Sequence, residues 1–198
     1  MGPCMSIFVD GGFQKSNPSF AEAASAPSSS SQSINTEVIF FPDNAMPCRH
    51  AKNCHRKGCK YAHGITSLVR FLEMIGNAKE TLDICVFNIT CNEIASAIIA
   101  RHKAGVKVRV ITDNDQADSR GSDIDEFRHN GISVVMDNSE QLMHNKFAII
   151  DHKQVLTGSF NWTRTAVLQN KENVLITNQS NVVQSYESEF MKLWKDFS

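Results

Sequence analysis

Residues 143–162 read MHNKFAIIDHKQVLTGSFNW, and this stretch decides the fold. Phe147 to Ile150 are apolar and lie between Lys146 and Asp151, the pattern of a buried strand. Side chains at i and i+2 of a strand share a face. His144 and Lys146 are spaced that way, so an imidazole and an ammonium point to one place. Asp151 stands an odd number of residues from His144. A continuous strand puts it on the opposite face, which gives this member of the catalytic set an orienting, hydrogen-bonding role rather than that of a base. A second short strand, QVLTG, follows. Just beyond it Ser159 and Asn161 are again i and i+2, a hydroxyl and an amide suited to steadying charge on phosphate oxygens.

A neutral imidazole is a competent nucleophile because its unperturbed pKa is about 6.5. Attack on phosphorus gives a phosphohistidine and splits one hard step into two easier ones. The leaving alkoxide then needs a proton from a second, protonated imidazole. The spacing H-x-K-x4-D-x6-G-S-x-N, continued by Asn170-Lys171-Glu172, resembles the phospholipase D superfamily. That resemblance implies two such histidines in one site. The array occurs once here and no internal repeat is visible, so the implied unit is a homodimer with His144 of each chain in a shared pocket. It also implies that Glu172 holds the ring in one tautomer. No Asp/Glu cluster with divalent-metal spacing accompanies the array, and no metal is expected in catalysis.

Cys48, Cys54, Cys59 and His63 are spaced C-x5-C-x4-C-x3-H. Three thiolates and an imidazole make a closed tetrahedral zinc site with no open position for catalysis. The residues around them are short, polar and glycine-containing, so ligation would supply the order that packing cannot. Arg49, Lys52, Arg56, Lys57 and Lys60 lie between the ligands with no acidic residue among them. Together with Tyr61 they suit a phosphate backbone and one stacked base. A disulfide competes with zinc, but Cys85 and Cys91 lie in or beside apolar segments and read as core residues. His50 and His55 are spare donors that could replace one ligand.

At 198 residues the chain is one domain with a small appendage. Its net charge of −1 does not advertise a polyanion partner, so any such partner must be met by local charge. No run approaches the roughly 18 apolar residues of a membrane span, and the first residues do not form a secretory signal. Residues 1–36 are rich in Ser, Ala and Pro, the composition of a flexible leader. From 37 to 198, strands (EVIFF, TLDICVF, VKVRVIT, ISVVM, KFAII, QVLT, ENVLIT) alternate with helices (ITSLVRFLEMIGNA, CNEIASAIIARHKAG, SDIDEFRHN, NVVQSYESEFMKLWKDF). That order specifies an α/β fold, a mixed β-sheet sandwiched by helices, with residues 48–63 as a zinc-finger-like insert. The alternation of basic and apolar residues in VKVRVIT predicts a strand with one edge or face exposed.

A single-copy array with such an insert between the first strand and first helix resembles the Zucchini-type endonucleases, also called mitochondrial phospholipase D. VKVRVITDND, MHNKFAIID, GSFNWT and NKENVLI carry the likeness. It implies a homodimer on the cytosolic face of the mitochondrial outer membrane that cuts single-stranded RNA in PIWI-interacting RNA maturation, with proteins of that pathway as partners. Such proteins usually begin with a transmembrane helix, which this leader lacks; without an anchor the expected place is the cytoplasm. M-G-P-C-M-S fits a myristoylation pattern at Gly2 with Cys4 open to palmitoylation, and an unmodified leader is the favoured reading. Three functions compete: a metal-independent endoribonuclease, a phospholipase acting on cardiolipin, and a non-catalytic zinc-finger RNA-binding module. The complete set of His144, Lys146, Ser159, Asn161 and Glu172 disfavours the third, and the basic insert favours RNA over lipid.

Overall fold

The computed structural model describes residues 33–117 and 121–198. Most of the expected leader, with Gly2 and Cys4, lies outside the described residues. Seven strands form one sheet: β1 (Thr36–Phe41), β2 (Thr81–Val86), β3 (Lys107–Thr112), β4 (Ser133–Met136), β5 (Lys146–Ile150), β6 (Gln154–Gly158) and β7 (Glu172–Thr177). Their order is β1-β7-β6-β5-β2-β3-β4. β2, β3 and β4 run parallel, and β5, β6, β7 and β1 continue the sheet antiparallel to their neighbours. The sheet is therefore mixed, and the junction between its halves is the β2–β5 pair, where Val86 stands opposite Lys146.

Period-2 alternation splits the sheet's side chains between two cores. Leu82, Ile84 and Val86 of β2, with Ala148 and Ile150 of β5, pack into a large core with Leu68, Phe71 and Ile75 of α1 (Ser67–Gly76) and Ile94, Ala95, Ile98 and Ile99 of α2 (Asn92–Lys103). Phe127 of a shorter helix, Ile124–His129, joins them. On the other face Cys85, Ile111, Phe147 and Ile149 pack under Val183 and Phe190 of the C-terminal helix Ser180–Asp196. The sheet is thus sandwiched by helices, as the alternation of elements predicts. The α1 N-terminus is held by buried Asp43, whose carboxylate accepts from the Ser67 and Leu68 amides at 2.9 Å each, while its own N–H donates to the Val167 carbonyl.

β3 departs in part from its expected exposure. It lies inside the sheet between β2 and β4, and its Arg109 is covered by the C-terminal helix. The guanidinium makes a two-pronged pair with buried Asp83, Nε–Oδ1 at 2.7 Å and Nη2–Oδ2 at 2.8 Å. It also lies 4.9 Å from the Phe190 ring centroid and 5.3 Å from that of Trp194. Of the two basic residues in VKVRVIT, Lys107 is exposed as expected, whereas Arg109 is half-buried in an ion pair, because a basic side chain with a carboxylate on the neighbouring strand need not reach solvent.

Candidate active site and metal centre

β5 brings His144 and Lys146 out at the end of the sheet where β2 also ends. The Phe87 amide, one residue past β2, donates to the Asn145 carbonyl at 2.9 Å and so extends the ladder between the two candidates. The exposed His144 ring meets the Phe87 ring edge-to-face, with centroids 4.7 Å apart. The Lys146 Nζ lies 5.1 Å from the same ring and donates to the His144 carbonyl at 2.7 Å. Burial pushes the Lys146 pKa below the ordinary lysine value, and Glu172 and Cys85 only partly offset that.

β6 and β7 deliver the next three residues. Gly158 pairs with Val174 across them, and a Cβ on Gly158 would lie 2.1 Å from the Asn173 carbonyl oxygen, so only glycine fits. This close approach sets Ser159 against Glu172. The Ser159 hydroxyl donates to Glu172 Oε2 and accepts from the Asn173 amide at 3.2 Å, while Asn170 Nδ2 donates to Glu172 Oε1 at 3.1 Å. Both Glu172 oxygens are thus engaged within the chain, and among the described residues no hydrogen bond runs from Glu172 to the His144 ring. Asn161, two residues beyond Ser159, is half-buried, and its side-chain oxygen has no hydrogen-bond partner among the described residues.

Asp151 lies past the opposite end of β5 from Lys146. With His152 it occupies the two central positions of the turn closed by the Lys153 amide on the Ile150 carbonyl, at φ values of 52° and 56°, the left-handed geometry favoured where twisted strands turn back. Its carboxylate accepts from the amides of Lys79, Glu80 and Thr81 at 2.7 to 3.1 Å. Burial pushes its pKa up, but those donors outweigh it and hold the group below the usual carboxylate range. It does not meet His144. Nor does His152, whose Nδ1 lies 2.6 Å from Glu187 Oε1; a strand of that length puts it roughly 17 Å from His144. His102 lies on α2, His129 bonds the Asp125 carbonyl, and the remaining three histidines lie within residues 48–63.

That segment joins β1 to α1. Its ends are stitched together by the Cys48 amide to the Ala62 carbonyl (2.8 Å) and the Ala62 amide to the Met46 carbonyl (2.9 Å). The donor atoms of Cys48, Cys54, Cys59 and His63 all lie within 4.8 Å of one another, and the Cys48 and Cys59 sulfurs are 4.0 Å apart. Four ligands at Zn–S of about 2.3 Å require S–S edges of roughly 3.8 Å, so this cluster fits zinc and could hold it; His50 and His55 stand outside it. The described cysteines are all free, and 4.0 Å is far beyond a disulfide bond. The His63 imidazole and a hydrogen bond from the Arg56 backbone bring Cys54 down to about 6, whereas burial pushes Cys91 up to about 11 and raises Cys85 as well. Arg49, Lys52, Arg56, Lys57 and Lys60 are all exposed. Arg49, His50, Arg56 and Tyr61 line a cavity of about 350 Å³ shared with Glu93 and Arg164.

Sequence reasoning missed Phe87, read only as the end of a strand, and Asp43. An aromatic as the last residue of a strand whose neighbour carries the motif was the signal for the first; the second left none.

This sheet and its flanking helices are the phospholipase D fold. Nuc of Salmonella typhimurium, a phospholipase D family member, has a TM-score of 0.68 at 23% identity, covering 82% of this chain and 95% of that one. NucT of Helicobacter pylori has a TM-score of 0.65 at 22% identity, covering 82% and 97%. Residues 71–194 match the family described as "Cardiolipin synthase, PLD-like domain". Proteins named mitochondrial cardiolipin hydrolase are 49% identical over 164 residues in Chlamydomonas reinhardtii, 81% of this chain and 74% of that protein, and 39% identical over 168 residues in Homo sapiens, 85% and 66%. The chain belongs to this family and is a phosphodiester hydrolase of the phospholipase D superfamily. The relatives are named mitochondrial, and no helix among the described residues is long and apolar enough to cross a membrane.

Proposed function

We propose that the chain is a homodimeric endoribonuclease that cleaves single-stranded RNA without a catalytic metal. The observation that carries this is the convergence of His144 and Lys146 on one ring with no second imidazole beside them among the described residues. One His144 attacks phosphorus, forming a P–N bond as the P–O bond to the leaving strand breaks. The departing oxygen takes its proton from the imidazolium of the second chain's His144. That ring, now neutral, accepts a proton from water, whose oxygen displaces the first imidazole and leaves the phosphate on the downstream fragment. Lys146 and Asn161 meet the phosphate oxygens, Ser159 and Glu172 frame them, and Asp151 steadies the strand from its far end. A zinc ion on Cys48, Cys54, Cys59 and His63 orders the basic insert, whose exposed cations and Tyr61 favour RNA. Membrane association at the mitochondrion, with PIWI-pathway proteins as partners, completes this reading by resemblance.

A second reading is supported by the relatives' names: hydrolysis of cardiolipin by the same chemistry. Leu142, 59% exposed two residues before His144, is an apolar side chain that could meet an acyl chain.

The deciding experiment sets labelled single-stranded RNA beside cardiolipin vesicles in EDTA, with subunits exchanged between wild type and an excess of His144→Ala. RNA cleavage to a 5′-phosphate, falling roughly as the square of the wild-type fraction, is expected. A 2′,3′-cyclic phosphate would remove the phosphohistidine, a linear fall would remove the shared pocket, and turnover of cardiolipin alone would establish the second reading.

A further inference from the structure

We infer that Phe87 is a positioning residue for the reaction, its ring serving as the common rest that orients both the His144 imidazole and the Lys146 ammonium. This rests on the reading of those two side chains as the catalytic pair.

Phe87 is a large, half-buried aromatic that belongs to neither hydrophobic core. Among the described residues its aromatic and cation–π partners are His144 and Lys146 alone, so core packing does not account for it. His144 precedes β5 and stands outside the strand ladder, and among the described residues no hydrogen bond holds either of its ring nitrogens. What fixes the plane of the ring within one chain is therefore the edge-to-face contact at 4.7 Å and 60°, a geometry aromatic pairs prefer. The Lys146 Nζ lies within the roughly 6 Å reach of a cation–π contact and also bonds the His144 carbonyl at 2.7 Å. The Phe87 amide on the Asn145 carbonyl closes the arrangement, so the ring's own position is set by the ladder between the two residues it supports. The ring also shields one side of the ammonium from water, in keeping with the direction of its pKa. Leucine would fill similar space but offers neither a ring face to the cation nor an aromatic edge to the imidazole.

The test compares wild type, Phe87→Leu, Phe87→Tyr and His144→Ala on bis(p-nitrophenyl) phosphate and on single-stranded RNA, with NMR of the His144 ring protons. Phe87→Leu should lower kcat about tenfold or more, as misplaced reacting groups do, with KM held within about threefold. Phe87→Tyr, which keeps the ring, should retain most of the activity. The His144 protons should show a ring-current displacement in wild type and in Phe87→Tyr that vanishes in Phe87→Leu. A Phe87→Leu enzyme as fast as wild type, beside an inactive His144→Ala, would overturn the positioning role and leave the catalytic pair standing. Equal losses in Phe87→Leu and Phe87→Tyr would also overturn it. An active His144→Ala enzyme would instead remove the catalytic reading, and the ring-current displacement would still report whether Phe87 orients the imidazole. Should Phe87→Leu fold poorly, absence of that displacement in wild type is itself enough to reject the inference.

Discussion

Four of the five residues from Lys146 to Ile150 are buried, whereas from Cys48 to His63 none is. Both segments carry groups suited to phosphate, yet they are put in place by different physics. The first is fixed by packing, since Phe147 and Ile149 fill one core and Ala148 and Ile150 the other. A one-residue slip of β5 would exchange those faces. The second has no side chain to bury and relies on a short stitched neck and four converging donors. Order in the first is a property of the whole domain; in the second it rests on those few contacts, and a metal ion held by the four donors would supply the rest. The two should therefore fail separately.

The sharpest way to break that comparison is at His144. His144→Ala should fall to background on RNA and on bis(p-nitrophenyl) phosphate, a loss of about a thousandfold or more, while circular dichroism and the thermal midpoint hold, because the ring is exposed. Lys146→Ala should follow with a loss of about 10²–10³ in rate, and Lys146→Arg should restore only part of it, since a planar fork cannot replace a point charge. A fully active Lys146→Ala enzyme would mean the ammonium does not meet the phosphate.

The insert answers to a chelator instead. Removing metal should release about one zinc per chain and weaken single-stranded RNA binding about tenfold. Hydrolysis of the small diester should continue, and the midpoint of the domain should barely move. Parallel collapse of both activities would show that the segments are one unit.

The smallest effect is expected at Asp151. Asp151→Asn keeps the left-handed turn accessible but gives up the ionic character of the bonds to Lys79, Glu80 and Thr81, costing about 1–2 kcal/mol in urea unfolding. The folded pKa of Asp151 is lowered, so its contribution is present above the unfolded value of about 3.9 and is lost as pH falls through the folded one. The difference between wild type and variant should be full at neutral pH and close in acid.

The strands and long helices were legible because their periodicity is local. Four soft or nitrogenous ligands at short spacing were legible for the same reason. Arg109 was misread because what covers it is far away in sequence: Asp83 on β2 and Phe190 and Trp194 on the last helix. The helical turns at Asn114–Ala117 and Arg164–Leu168 are too short to show a period. Glu172 was expected at the imidazole, but its bonds to Ser159 and Asn170 depend on how closely β6 approaches β7, which no spacing announces. Asp151 was read as a hydrogen bonder from parity, but its amide partners at Lys79, Glu80 and Thr81, just before and at the start of β2, were not foreseeable.

The pairing of Thr36 with Thr177 reverses the order of synthesis and the order of assembly. Among the described strands β1 is made first, yet its one neighbour there is β7, so it must wait until Glu172–Thr177 has been translated. Such distant pairings close slowly. In the interval the donors at 48–63, which lie shortly after β1, can already converge on one another. The four donors can thus be gathered before the edge strand beside them has a place to dock.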